Sequence, residues 1–299
     1  MHSSNVTSIA EYLDDVDRSP TALQLMLAYH LKGLREEAGL SPAEAAKVIE
    51  TSPSQMSRLE NGKRRWQRRG LEAALLIYGV SPADVDLTLR LLEASTRPDW
   101  TAGFGSDVLP EWFQQFVGLE RAAKELRCFE TRAFPGLLQC ESYAHAIVEG
   151  DAMGQTSLVR RRLKLRAERQ KQVFRPNGPT IWVVLEEGVL QRPFGDRHVM
   201  RAQLLHLKDV LESNDQKVVA QILPTNLGVS RPSGSFTYLQ FALEGLSDKV
   251  YTEHPGGATY YDEKKDVNRH HATFDRLSAG ALDPELTLGY LDKALRDLG

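Results

Sequence analysis

Cysteine is nearly missing from this chain. Cys128 and Cys140 are its only two, and they stand in no metal-like spacing. Two reduced thiols in a cytoplasmic protein are the simplest account, and a disulfide scaffold is excluded. Long apolar runs are missing too, so no segment is expected to span a bilayer. The opening MHSSNVTSIAEYLDD has no basic region followed by an apolar core, which argues against a signal peptide. There is no internal repeat and no low-complexity segment, so a repeat array is not the architecture. No large excess of positive charge exists: the net charge is −3, and the protein as a whole is no general binder of nucleic acid. Locally the balance reverses. From Arg58 to Arg69 the cations are Arg58, Lys63, Arg64, Arg65, Arg68 and Arg69, against the single acid Glu60. A basic patch on a mildly acidic chain reads as a polyanion footprint or as a solvated helix end.

The stretch in front of that patch decides between the two. Ser41 to Arg65, SPAEAAKVIETSPSQMSRLENGKRR, has the grammar of two short helices joined by a tight turn. Ser41 is an N-cap and Pro42 fits the first helical position, where an N–H would have no partner. Glu44 completes a capping box. The pattern repeats at Ser52, Pro53 and Gln55. Ala45, Ala46, Val48 and Ile49 face inward on the first helix, and Met56 and Leu59 on the second. Ser54, Gln55, Ser57 and Arg58 are left outward. A short polar helix packed across another, with cations just behind it, suits insertion into a DNA major groove.

At 299 residues, one small and one larger domain are expected. Residues 1–18 are polar and acidic and are read as a flexible N-terminus. Residues 19–95 form an all-α unit of five helices. It opens at Ser19-Pro20, with Leu23, Leu27, Leu31 and Leu34 on one stripe, and closes with helices from Leu71 to Tyr78 and from Ser81-Pro82 onward. Residues 96–110 are rich in Gly, Pro, Ser and Asp and read as a linker. Residues 111–299 mix helices with β-branched runs such as TIWVVL and KVVAQIL. The expectation is an α+β domain with a mainly antiparallel sheet.

The first unit resembles the Xre (Cro/repressor) family of helix-turn-helix DNA-binding domains. LREEAGLSPAEAA and MSRLENGKRR, within residues 31–65, carry the resemblance. It implies that Arg35 and Glu60 form a structural ion pair and that Ser54 and Arg58, with Gln55 beside them, reach base edges. It also implies that Asn61, Lys63 and Arg65 hold phosphates and that Arg68 reaches toward a minor groove; Ser57 and Arg64 complete the backbone-contact set. Pro42 and Pro53 depart from the family pattern, since proline has no side-chain hydrogen bond to offer phosphate or base. Base readout is therefore thin and rests mostly on Arg58, whose guanidinium can bond guanine O6 and N7 together.

The second unit resembles the large C-terminal domain of unassigned function in actinobacterial WhiJ-like regulators. LERAAKELRCFETRAFPGLLQCESYAHA, LEEGVLQRPFGDRHVMRAQLLHL and VYTE carry it. That resemblance implies a nearby gene for a small partner protein and, in some members, an antitoxin-like role.

Enzyme chemistry is the weakest reading. Cys140, Glu186-Glu187, His254 and His270-His271 fall in no nucleophile elbow, metal spacing or phosphate loop. No cofactor or metal is expected. The cation-rich helix Arg160 to Arg169 is a solvated face, a second DNA contact or a dock for an acidic partner. Tyr251, Tyr260 and Tyr261 pack on strands or line a pocket. The expected protein is a cytoplasmic, nucleoid-associated, dimeric regulator of double-stranded DNA, with a sensor or partner-binding second domain. The alternative is an antitoxin-like module that neutralises an adjacent gene's product and regulates itself.

Overall fold

The computed structural model of the chain describes residues 7–14, 18–152, 154–213 and 217–298. It divides into two compact units, Met1–Ala102 with Phe241–Ser247, and Gly103–Gln240 with Asp248–Gly299.

The first unit is helical: α1 (Ile9–Asp14), α2 (Pro20–Glu37), α3 (Pro42–Val48), α4 (Pro53–Glu60), α5 (Arg68–Tyr78) and α6 (Pro82–Thr96). All four Ser-Pro pairs start helices, each serine side chain accepting a backbone N–H of the first turn. Glu44 completes the capping box at Ser41. Gln55 does not complete one at Ser52, because its side-chain oxygen is taken by Arg64. Leu23, Leu27, Leu31, Met56, Leu71 and Leu75 are buried, as their spacing requires. Val48 is not: at 45% exposure it faces outward, because Ala45 and Ala46 already fill the contact side of this short helix.

α1 corrects the expectation of a flexible start within the described residues. Ser8 and Glu11 form a capping box, with Glu11 N–H donating to Ser8 Oγ and Ser8 N–H to Glu11 Oε2. Ile9, Tyr12 and Leu13 are buried on one stripe, and Tyr12 Oη accepts the Ser19 N–H at 2.8 Å. Thr7 bridges Leu243, donating to Ala242 O at 2.8 Å. Residues 1–6 and 15–17 lie outside the described residues.

The second unit contains strands β1 (Glu125–Glu130), β2 (Thr180–Glu186), β3 (Val218–Leu223), β4 (Phe236–Gln240), β5 (Lys249–His254) and β6 (Gly257–Tyr261). Its helices are α7 (Glu111–Ala122), α8 (Glu141–Asp151), α9 (Thr156–Val173), α10 (Glu187–Gln191), α11 (Arg197–Glu212), α12 (Lys264–Gly280) and α13 (Pro284–Asp297). The strands form one mixed sheet in the order β3-β2-β1-β4-β5-β6. β1, β2 and β3 run parallel, and the other three pairings are antiparallel. The parallel part follows from the connections: α8 and α9 carry the chain from β1 to β2, and α10 and α11 from β2 to β3. β5 and β6 are joined by Pro255-Gly256, with Gly256 at φ +86° where a Cβ would be strained.

Side-chain alternation gives the sheet two distinct faces. Phe129, Val184, Phe236, Tyr238 and Val250 form one core with Val267, Phe274 and Leu277 of α12. On the opposite face Cys128, Thr237 and Tyr251 stand in register across β1, β4 and β5.

Candidate nucleic-acid interface

The helix-turn-helix frame is fixed from beneath. Arg35 on α2 makes a two-pronged contact with Glu60 at the end of α4, Nε–Oε1 2.5 Å and Nη2–Oε2 3.1 Å. Both side chains are about 5% exposed. Glu60 raises the affinity of the guanidinium for its proton, against the opposing effect of burial. Arg35 also donates to Leu40 O at 2.5 Å, tying down the chain just before α3. Between α3 and α4 the turn passes through Glu50 at φ 54°, the one non-glycine residue with positive φ among the described residues.

The loop after α4 is clamped at both ends. Gly62, at φ +66°, lies so close to Leu25 of α2 that an added Cβ would sit 2.4 Å from its Cδ2. Gln24 Nε2 donates to Gly62 O at 2.9 Å, and Trp66 is buried. The cations between these anchors therefore project from a defined turn.

Their side chains fall into two groups. Arg58 and Lys63 are exposed and have no side-chain hydrogen bond or ion pair among the described residues. The other predicted contact residues are engaged within the unit. Gln55 accepts from Arg64. Ser54 and Ser52 share a hydroxyl contact at 3.0 Å. Asn61 folds back onto Ser57, donating to its carbonyl at 2.8 Å and lying 3.3 Å from its Oγ. Arg65 Nε donates to Gln24 Oε1 at 3.2 Å. Arg68 is drawn to two carboxylates, Glu72 at 2.9 Å and Glu93 at 3.3 Å. All these groups except Gln55 and Asn61 are exposed, and such contacts exchange with water or phosphate at little cost.

Of the residues weighed for chemistry in the second unit, Glu186, Glu187, His270 and His271 make contacts within the fold. Glu187 accepts the Thr225 N–H at 2.8 Å and the Tyr290 hydroxyl, which holds its carboxyl below the usual range. Glu186 pairs with Arg231 at 3.0 Å. His270 packs between Phe236 and Tyr261, and His271 packs on Tyr238 and contacts Asp275 at 3.1 Å. Burial pushes the Cys128 thiol up to about 12, opposite to the direction a nucleophile needs. Among the described residues no group of three or more His, Cys, Asp or Glu could hold a metal ion, and no helix is long and apolar enough to cross a membrane.

The cation-rich helix α9 is two-faced, which its bare charge count concealed. Arg160, Arg161 and Lys164 point outward. Arg162, Leu165, Arg166 and Arg169 form an inward stripe at helical spacing and line a cavity over the sheet. Arg169 is 8% exposed and grips Glu120 of α7 at 2.6 and 2.7 Å. The Phe134-Pro135-Gly136 turn is tied to α9 by Gln170 Nε2, which donates to Gly136 O at 3.1 Å and Gln139 O at 2.9 Å.

Comparison with protein families matches residues 27–88 to a Helix-turn-helix domain and residues 113–293 to a Domain of unknown function (DUF5753). Neither the curated proteins nor the solved structures gave a match. The first match covers α3, α4 and the basic loop, and supports a DNA-binding regulator. The second covers more than half of the chain and almost the whole sheet domain, so the chain belongs to the family of proteins that carry the Domain of unknown function (DUF5753), here behind a helix-turn-helix domain.

Proposed function

We propose that the protein is a sequence-specific transcriptional regulator that binds double-stranded DNA as a homodimer, and that its second unit receives a small ligand or a small partner protein. The observation that carries the reading is the pair of unengaged cations, Arg58 at the end of the outward face of α4 and Lys63 in the clamped loop behind it. Arg58 is assigned to base edges in the major groove, with Ser54 and Gln55 as secondary contacts. Lys63 grips phosphate, and Ser57, Asn61, Arg64, Arg65 and Arg68 join it where DNA displaces their present partners. With Gln55 held by Arg64 and proline at positions 42 and 53, direct readout is narrow. DNA shape and the spacing of two half-sites supply the rest of the specificity. The working location is the nucleoid in the cytoplasm.

Gel shifts over a salt series test this reading. Arg58→Ala is expected to change the preference among sequences by about 1–3 kcal/mol. Lys63→Ala is expected to weaken all sequences alike and to flatten the salt dependence by about one phosphate. If neither change affects binding, α4 is not the recognition helix. Purification from the native host distinguishes the antitoxin-like alternative: a stoichiometric small protein held without DNA favours that role.

A further inference from the structure

The second unit contains a cavity of about 360 Å³, which the DNA-binding reading does not use. Its floor is the sheet face bearing Cys128, Thr237 and Tyr251, and its roof is formed by α7 and α9. The size falls at the lower end of pockets that hold small molecules, about 300–1,000 Å³. The wall combines aromatic surface with charge. Phe116 stacks on Tyr251 with ring centroids 4.0 Å apart, and Phe113 lies beside Phe116.

Two of the three inner arginines of α9, Arg166 and Arg169, differ in one respect. Arg169 is satisfied: it holds Glu120 with both prongs and lies over the rings of Phe113 and Phe116, 5.3 and 5.4 Å from their centroids. Arg166 has no carboxylate within salt-bridge distance among the described residues. Its one side-chain hydrogen bond goes to the neutral amide oxygen of Gln139. Burial, and then the charge of Arg169, pull Arg166 down to about 10, so it is still charged at neutral pH. A guanidinium has five N–H donors, and Arg166 bonds a side chain with one of its groups, while Glu253 and Asp151 of the cavity wall attract its charge from beyond salt-bridge distance without bonding it. Gly136 lets the turn approach both guanidiniums: a Cβ there would lie 3.1 Å from Arg169 Nη1 and 3.7 Å from Arg166 Nε. The cavity wall also includes Arg162 and, outnumbering the two arginines that have no ion pair among the described residues, the carboxyl groups of Glu130, Asp151 and Glu253. Those carboxyl groups disfavour a doubly charged phosphate and leave a single negative charge as the better match to Arg166.

We propose that this cavity binds a small organic monocarboxylate, with its carboxylate on Arg166 and its apolar body against the aromatic side chains of α7. The inference builds on the reading of the second unit as a ligand receiver and specifies the ligand's chemical class.

Calorimetry and thermal shift on the full chain, with naphthoate and its neutral counterpart naphthamide as probes, test it without any variant. Naphthoate is expected to bind one-to-one and roughly tenfold or more tighter than the amide, the gain of a charge-assisted fork. Arg166→Gln is expected to bring the two probes to similar affinity, and Arg166→Lys to retain part of the difference. Equal binding of the two probes, naphthoate binding unchanged in Arg166→Gln, or no naphthoate binding would each overturn the assignment. Gel shifts of the same preparations keep the two readings apart: DNA binding that persists while naphthoate fails removes the cavity inference alone.

Discussion

Arg35 and Glu60 are 25 positions apart and meet almost out of contact with water, so each is the counter-ion the other needs. Removing one leaves a buried charge unpaired. Arg35→Ala is expected to destabilise the first unit by about 3–5 kcal/mol in urea unfolding. Replacing both together, Arg35→Met with Glu60→Leu, is expected to recover most of that loss, because no orphan charge remains. A double variant no more stable than the single would show that the pair's other contacts, such as Arg35 to Leu40 O, matter more. Glu130 presents the opposite case. Burial, reinforced by Glu253 and opposed by Ser235 and Arg169, lifts its carboxyl from 4.5 to about 7. Between those values the folded chain keeps a proton that the unfolded chain has lost, so stability falls as pH rises through the window. The full effect is at most about 3 kcal/mol. Glu130→Gln is expected to flatten unfolding free energy between pH 5 and 7 and to stabilise the chain above that range. A variant with the wild-type slope would assign the pH dependence to another group.

At the scale of elements, α4, the proposed recognition helix, is positioned by the turns at its two ends. Glu50 takes the left-handed conformation before α4, which costs a residue with a Cβ about 1–2 kcal/mol. Glu50→Gly is expected to raise stability by up to about 1 kcal/mol, part of the gain being lost to greater freedom when unfolded. Gly62→Ala acts the other way, since it meets both a positive φ and the Leu25 side chain. A loss of about 1–3 kcal/mol is expected, together with weaker DNA binding as Lys63 shifts; a neutral result would show that Leu25 yields freely. The capped helices were legible because Ser-Pro pairs and leucine stripes are local signals. The strands were legible from their β-branched runs and the sheet is mainly antiparallel as expected, three pairings against two, but which strands pair in parallel was not legible. α1 escaped because a six-residue helix gives too short a period, although Ser8 and Glu11 carried a readable capping box. In the same way, the cation count of α9 hid a stripe whose inward members are evident only once Glu120 and the sheet face are in place.

For the molecule as a whole, the mildly acidic charge and the compact basic loop set different demands. Long-range repulsion from DNA must be overcome by a few phosphate contacts, each of which adds about −0.9 to the slope of log affinity against log salt, so the salt dependence is expected to be moderate. If α4 is the reading helix proposed above, it covers only a half-site, with one unengaged arginine for direct readout, and a single copy would discriminate poorly among sequences. Two copies on a two-fold operator multiply both the phosphate contacts and the readout. Sedimentation of the full chain with a palindromic duplex is therefore expected to show two chains per duplex. Lengthening the spacer by half a helical turn, about 5 bp, would rotate the half-sites onto opposite faces of the DNA. That duplex is expected to bind no better than one carrying a single half-site. A monomer bound at full affinity, or affinity indifferent to the spacer, would place the specificity within one copy and leave Arg58 and the shape of a single half-site to account for it.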